Sequence, residues 1–227
     1  MKRSQINQAI EKAKRLLREN KISLPFFGYL TLDGWRHCGV DYDRIAETML
    51  GWDVTDFGSD CFERTGATLF TLRNGVVGHP EIGTPYAEKY IIMDGCGQEI
   101  PFHYHIKKTE DIINRAGAKL IIQVYNAAHD NTLDLTTRPE LRLDGELRRF
   151  DPGELIALDP GQSITLTPYI YHRFYSEGGD TVAGEVSSVN DDNTDNIFLN
   201  PTRRFTGIEE DEPIVHILVN EYGLIKG

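Results

Sequence analysis

Apolar and polar positions follow two different periods along the chain. Between residues 4 and 19 the apolar residues recur at spacings that place them on one stripe of a helix. A second, short helix is predicted over 41–50, where Gly51 closes it. From about residue 66 onward, short strand-like runs alternate with Gly, Pro, Asn and Asp turns: ATLFTLRNG, EKYIIMDG, AKLIIQVYN, ELIALDPG, SITLTP, HRFYSEGG, TVAGEVSSV and IVHILVN. This spacing is typical of an antiparallel sandwich or barrel.

The change of period predicts two parts. Residues 1–65 form a helical N-terminal extension packed on the barrel, and residues 66–227 form the β-barrel domain. A chain of 227 residues is long enough to bury a substantial core. The stretch 190–213 interrupts the strand rhythm, because it is long, polar and rich in turn residues. Such a stretch is either a solvated surface loop or, since it directly follows a strand, a lid.

Charge and cysteine usage narrow the range of partners. The formal net charge of −11 argues against nucleic acid or an anionic membrane, since phosphates attract stripes of Lys and Arg. No apolar run approaches the roughly 20 residues that a membrane span requires. The three cysteines are odd in number and show no CxxC spacing, which fits a reducing compartment. We therefore expect a cytoplasmic protein with no nucleic-acid and no membrane partner.

The stretch GQEIPFHYHIKKTEDIINRAG, residues 97–117, contains two histidines one residue apart. Successive side chains of a strand point to opposite faces, so His103 and His105 share one face and can hold one metal ion. Glu110 can return on a turn or a neighbouring strand to add a carboxylate. A histidine pair alone is weak evidence for a metal, but His172, after Pro168, supplies a further candidate ligand.

This arrangement resembles the cupin superfamily. The first cupin motif consists of a glycine, five residues, HxH, four residues, a glutamate, six residues and a glycine. The chain matches it at every position, with Gly97, His103, His105, Glu110 and Gly117. The resemblance implies a mainly β fold, a cupin-type antiparallel β-barrel of the jelly-roll kind, with a helical extension at the N-terminus.

The second cupin motif is matched in part. Gly161 and His172 stand at the separation found in the family, whereas Pro168 is displaced by one position and the usual glycine after it is missing. The resemblance implies that His172 completes a set of four ligands, with His103, His105 and Glu110, around one divalent metal ion.

The similarity extends over most of the chain to one family within the cupins. The stretches FHYHIKKTEDIINR and GEVSSVNDDNTDN, with the helical extension before the barrel, resemble the cupin-type D-lyxose isomerase family. This resemblance implies a metal-dependent aldose–ketose isomerase, with Mn²⁺ the usual metal. The sugars implied are D-lyxose and D-xylulose, and also D-mannose and D-fructose. Because cupins commonly pair through sheet edges, we expect a homodimer.

Two further residues suit the chemistry of such an isomerase. Moving a proton between C1 and C2 through a cis-enediol requires a general base and a proton donor to oxygen. Glu185 in TVAGEVSS is the candidate base if it faces the barrel interior, although an outward, solvated glutamate fits the pattern equally well. Lys108, between the histidine pair and Glu110, is the candidate donor, and a surface lysine on the turn is the alternative. A metal-assisted hydride shift would need no base.

Candidate substrate-binding residues come from two other segments. Lys89 in YAEKYIIM shares a strand face with Ile91 and Met93, so an inward position is open to it. Asp191 and Arg204 lie in the long polar stretch and can bind sugar hydroxyls if that stretch covers the site.

Two other functions are compatible with the same ligand set. A non-catalytic sugar-binding cupin would keep the metal and pocket without a base, and an iron-dependent cupin dioxygenase would use iron in place of manganese. Glu185 and Lys108 close to the metal would favour the isomerase, because an oxygenase needs no such acid–base pair.

Overall fold

In a computed structural model that describes residues 1–192, 194–205 and 207–226, α-helices lie near the N-terminus. They are α1 (Arg3–Glu19), α2 (Leu32–His37) and α3 (Asp43–Glu47), with 3-10 helices at Phe26–Gly28 and Tyr222–Lys226. Helix α1 coincides with the predicted first helix and buries its apolar stripe: Ile6, Ile10, Ala13 and Leu17. None of the helices in the described ranges is long and apolar enough to cross a membrane.

The rest of the described chain is mainly β, as predicted. The strands are β1 (Gly51–Thr55), β2 (Ala67–Val76), β3 (His79–Met93), β4 (Glu99–His105), β5 (Glu110–Ala127), β6 (Leu133–Asp134), β7 (Glu140–Leu143), β8 (Glu146–Arg149), β9 (Leu155–Leu158), β10 (Ser163–Leu166), β11 (Ile170–Ser188) and β12 (Asn196–Phe198). The predicted strand IVHILVN is wrong, since only Leu218 makes an isolated bridge, to Trp52. Ile217 and Leu218 of this run instead fill a core beside the helices, because a short apolar run does not distinguish a strand from a buried irregular segment.

Within the described ranges, all strand pairs are antiparallel and form one twelve-stranded sheet. Its main path runs β1-β2-β3-β11-β5-β10-β7-β8, and β11 also pairs with β4, which in turn pairs with β12. The antiparallel prediction is confirmed. The predicted closed barrel is not shown, because the ladders between described residues do not join β1 to β8 at the two ends of the path.

Two apolar cores lie on opposite sides of the sheet. One contains Ile91, Ile112 and Phe174, all contributed by strands. The other lies between α1 and the sheet and contains Trp52 and Val182. Strand β1 belongs to the predicted 1–65 extension and yet pairs with β2, so the extension contributes to the sheet as well as covering it. The division at residue 65 stays a prediction.

A register shift in β11 decides which of its side chains face the first core. His172 and Glu185 are an odd number of positions apart, so a regular strand would direct them to opposite faces. The ladder with β5 shifts twice between them, at Glu177/Thr181 and at Val182/Ala183, and both His172 and Glu185 lie opposite inward residues of β5. Gly117 lies at the first of these shifts with φ +94°, where a Cβ would be 2.2 Å from a backbone oxygen of β11, so only glycine fits.

Candidate active site

The four predicted metal ligands converge on one point inside the sheet. His103 of β4 and His172 of β11 are direct cross-strand neighbours, and their Nε2 atoms are 3.1 Å apart. Glu110 opens β5 and places Oε1 3.2 Å from His172 Nε2 and Oε2 3.4 Å from His105 Nε2. All four side chains are buried. The ligands come from three strands and meet because β11 pairs with both β4 and β5.

Backbone carbonyls fix the orientation of each imidazole. His103 and His172 each have Nδ1 2.9 Å from the carbonyl oxygen two residues earlier, and His105 Nδ1 lies 3.3 Å from the carbonyl oxygen of Asp195. When Nδ1–H donates to a carbonyl, the lone pair of Nε2 points to the centre. Burial holds the pKa of His103 well below its ordinary value and also lowers that of His105. These rings are therefore neutral at neutral pH, as metal ligation requires.

The donor atoms fit one divalent ion. Two ligand atoms at about 2.1 Å from an ion, at right angles, are about 3.0 Å apart, close to the observed 3.1–3.4 Å. His105 Nε2 and Glu110 Oε1 are buried and lack a hydrogen-bond partner among the described residues, and a cation at the centre would satisfy both. The three histidines have the mutual spacing of metal ligands.

Lys108 joins the cluster to a second carboxylate. Its Nζ lies 2.8 Å from Glu110 Oε2 and 2.9 Å from Glu185 Oε1. Burial lowers the pKa of Lys108, but the two carboxylates outweigh it and hold that pKa above its ordinary value. Burial raises the pKa of Glu110 and of Glu185, but the ammonium group outweighs it, so both pKa values are lowered, that of Glu110 strongly. Both carboxylates are therefore ionised at neutral pH.

A second ionic group borders the same cavity. Arg204 Nη2 lies 2.5 Å from Asp53 Oδ2 and 3.1 Å from Asp192 Oδ2. Lys89 Nζ is 3.8 Å from Asp192 Oδ1 and 4.0 Å from Glu185 Oε1. Arg204 Nη1 is buried without a hydrogen-bond partner in the described part of the chain. This guanidinium therefore retains a donor for a ligand.

The cavity is lined by both apolar and polar side chains. The apolar ones are Phe57, Leu69, Ile91, Ile100, Phe174 and Phe198. The polar ones are Lys89, His103, His105, Lys108, Glu110, Glu185, Asp192, Asn196 and Arg204. Such a lining suits a small ligand that carries both hydroxyls and C–H groups.

The structure brings most of the predicted site residues together. Glu185, Lys108, Lys89 and Arg204 all line the cavity beside the metal-ligand cluster, so Glu185 faces inward. Asp191 does not line it; its carboxylate accepts a hydrogen bond from the Thr194 amide at 3.1 Å. The catalytic and binding roles stay predictions.

Three acidic residues near the cavity were not predicted from the sequence. Asp192, the neighbour of Asp191, lines the cavity, and Asp53 pairs with Arg204 from β1. Asp195 contacts the turn between β4 and β5. Asp192 and Asp195 had a signal in the sequence, their place in the polar stretch 190–213, whereas the role of Asp53 depends on a contact with the distant Arg204.

Part of the predicted lid, residues 190–213, borders the site. Strand β12 pairs with β4 in register, so that Asn196 lies opposite His105 and Phe198 opposite His103. The Phe198 ring lies 5.4 Å from the His103 ring, centroid to centroid. The described part of this segment therefore forms a wall of the cavity, and its movement on ligand binding stays a prediction.

The antiparallel fold and the buried three-histidine centre place the chain among cupin-type proteins, and solved structures of the same fold are sugar isomerases. The L-ribose isomerase of Acinetobacter sp. DL28, in complex with L-ribose, has a TM-score of 0.60 at 15% identity, covering 92% of this chain and 98% of that chain. The L-ribose isomerase of Cellulomonas parahominis with L-psicose has a TM-score of 0.57 at 15% identity and the same coverage. At this identity the likeness shows the fold alone.

Sequence comparison gives the family. A family model described as D-lyxose isomerase matches residues 1–222. The D-lyxose/D-mannose isomerase of Serratia proteamaculans is 42% identical over 225 residues, which cover 98% of each chain. A second D-lyxose/D-mannose isomerase, from Escherichia coli O157:H7, is 40% identical over 227 residues, again 98% of each chain. The chain belongs to the D-lyxose isomerase family, a family of aldose–ketose isomerases.

Proposed function

We propose that this protein is a metal-dependent isomerase that interconverts D-lyxose with D-xylulose and D-mannose with D-fructose. The observation that carries the proposal is the buried Lys108 bridge between Glu110 and Glu185, which sets an acid–base pair beside the histidine cluster. The names of the two relatives support the choice of sugars. D-lyxose and D-mannose share their configuration at C2, C3 and C4, so one set of contacts around those carbons serves both.

We assign the metal to His103, His105, His172 and Glu110, and we propose Mn²⁺. Three imidazoles and one carboxylate leave positions of an octahedral ion open to two vicinal oxygens of a sugar. When bound, a divalent ion polarises the substrate carbonyl and lowers the pKa of the adjacent hydroxyl. The backbone contacts of the three imidazoles keep these donors in place before substrate enters.

Glu185 is the proposed general base. It is ionised and buried, so it can take the C2 proton of an aldose and return it to C1, through a cis-enediol. The protonated Lys108, 2.9 Å from Glu185, gives a proton to O1 of the aldose as the enediol forms and takes one back from O2 as the ketose forms. Lys89 is the direct cross-strand neighbour of Glu185 and, with Arg204, supplies donors to the remaining hydroxyls. We assign the binding of sugar hydroxyls, predicted for Asp191, to Asp192, because Asp192 lines the cavity.

The charges of the cavity favour a sugar without phosphate. Every cationic side chain of the described cavity wall already has a carboxylate within 4.0 Å. A phosphate would therefore bring further negative charge to cations that are already paired, and an uncompensated buried charge costs on the order of several kcal/mol. Neutral hydroxyls can instead share these paired groups as hydrogen-bond donors and acceptors.

The buried acid–base pair favours an isomerase over the two alternative functions. A non-catalytic sugar-binding cupin needs no base beside the metal, and an iron-dependent dioxygenase needs dioxygen rather than a proton donor. We expect chelator-treated protein reloaded with Mn²⁺ to interconvert members of a panel of aldoses and ketoses without consuming oxygen. Absence of interconversion with every divalent metal, or oxygen uptake with Fe²⁺, would overturn the proposal.

We also propose that the protein is a cytoplasmic homodimer. Free thiols at Cys38, Cys61 and Cys96 suit a reducing compartment. Cupin proteins commonly pair through the edges of their sheets, and light scattering of the purified protein should give about twice the chain mass of 25.7 kDa.

A further inference from the structure

One carboxylate outside the cavity wall holds the turn that separates two of the metal ligands. The turn connects His105, the last residue of β4, to Glu110, the first residue of β5. Asp195 Oδ1 accepts hydrogen bonds from the backbone amides of Ile106 at 3.0 Å and Lys107 at 2.8 Å. Its Oδ2 accepts one from the Lys108 amide at 3.0 Å. Three successive amides that point to one anion form a backbone nest.

The backbone of the same residue contacts a metal ligand directly. The Asp195 carbonyl oxygen lies 3.3 Å from His105 Nδ1, and Asn196 is paired with His105 across β12 and β4. Asp195 is 6% exposed, so its carboxylate depends on the turn amides for hydrogen bonds. One residue of the 190–213 segment therefore holds the turn from His105 to Lys108, through its side chain and its backbone.

We propose that Asp195 is a positioning residue that fixes His105 and Glu110 at the separation a single divalent ion requires, and thereby links the lid segment to the metal centre. Asp195 does not line the cavity, so it acts through the turn that carries His105, Lys108 and Glu110. The turn residues Ile106 and Lys107 are exposed, and without Asp195 their amides would bond to water, which leaves the turn free to adopt other conformations. The link to catalysis, though not to metal binding, rests on the proposed isomerase function.

The test compares Mn²⁺ affinity in matched variants. Asp195→Asn keeps the size of the side chain but replaces one acceptor oxygen by an NH₂ group, which faces a donor amide. We expect the Kd for Mn²⁺, measured by calorimetry on chelator-treated protein, to rise by about 10–100-fold, as for other residues that orient metal ligands. Asp134→Asn is the control, since Asp134 accepts from the amides of Thr136 and Thr137 in a turn that does not line the cavity. The Kd of Asp134→Asn for Mn²⁺ should equal that of the native protein.

A general loss of stability would lower the unfolding temperature without changing the Kd of the folded molecules for Mn²⁺. Measuring both the unfolding temperature and the Kd therefore separates a positioning role from a merely structural one. An unchanged Kd in folded Asp195→Asn protein overturns the proposal. If that variant does not fold, hydrogen exchange of the native protein tests the proposal. The amides of the exposed residues Ile106 and Lys107 should be protected by Asp195. Rapid exchange of these two amides overturns the proposal. The native protein is also assayed for isomerase activity. If it shows none, a raised Kd in Asp195→Asn still supports the positioning role, and the lack of activity contradicts the proposed function.

Discussion

Glu185, Lys108 and Glu110 form a chain of alternating charge, and the sequence predicted its members unequally. Lys108 and Glu110 are close in sequence to the histidine pair, so their proximity followed from the motif. Glu185 is remote, and its orientation stayed open because a strand pattern gives two faces without saying which is inward. Asp191 was chosen where Asp192 lines the cavity, since an irregular segment has no period from which to infer orientation.

The role of Glu185 predicts solvent exchange of the migrating hydrogen. A proton carried by a carboxylate can exchange with water before it returns, whereas a hydride shift keeps the hydrogen out of solvent. Isomerisation in heavy water should place deuterium at C1 of the ketose or C2 of the aldose. Glu185→Gln should lower kcat by about 10²–10⁴-fold with metal content unchanged.

Glu88→Gln is the matched control for this substitution, because Glu88 lies on the adjacent strand and pairs with Arg73 at 2.9 Å. It should leave kcat near the native value. A product without solvent deuterium, together with near-native turnover in Glu185→Gln, would favour the hydride shift.

Strand β11 and the segment that follows it build the site at the level of elements. The first half of β11 carries His172 and the second half carries Glu185, and the register shifts between them turn both inward. The sequence predicted the two halves as separate strand runs, and it left open which face of the second run is inward. A shift of this kind depends on long-range pairing with β5, which no local pattern contains.

The position of the 190–213 segment predicts a response to ligand. Phe198 and Arg204 from this segment line the cavity. A bound sugar or polyol therefore adds contacts to the segment and should make its movement away from the cavity less frequent. Hydrogen exchange in this segment should slow when a polyol inhibitor is added. The hairpin of β7 and β8 lies outside the cavity and should exchange at the same rate with and without inhibitor. Identical exchange of the 190–213 segment at saturating polyol would contradict a closing lid.

At the scale of the whole molecule, much of the fold could be inferred because its signals are local. The helix period over 4–19, the strand runs and the complete first cupin motif indicated a mainly β cupin with a helical extension. Closure of the barrel and the irregular course of IVHILVN depend on which edges meet in space. The candidate metal ligands therefore followed from a motif, while the cavity beside them required the structure.

The buried histidines predict how the stability of the metal-free protein depends on pH. The pKa of His103 and of His105 is lowered in the fold. At pH values between the lowered pKa and the ordinary pKa of about 6.5, the unfolded chain therefore binds more protons than the folded chain. Their contribution to the free energy of unfolding is therefore present above about pH 6.5 and is lost as pH falls, by at most about 1.4 kcal/mol per pH unit for each histidine.

Urea unfolding of chelator-treated protein at several pH values measures this dependence. Between pH 7.5 and 5.5, His103→Gln should show a smaller change of the free energy of unfolding with pH than the native chain. His79→Gln, at an exposed histidine, should show the same change as the native chain. Equal slopes in the native protein and His103→Gln would show that His103 is not held neutral by its burial.

The most direct test is anomalous diffraction from a crystal loaded with Mn²⁺, recorded at the manganese absorption edge. A strong peak should lie about 2.0–2.3 Å from the Nε2 atoms of His103, His105 and His172 and from a carboxylate oxygen of Glu110. Absence of a peak at saturating Mn²⁺, or a peak away from these four side chains, would contradict a metal-dependent isomerase built on this centre.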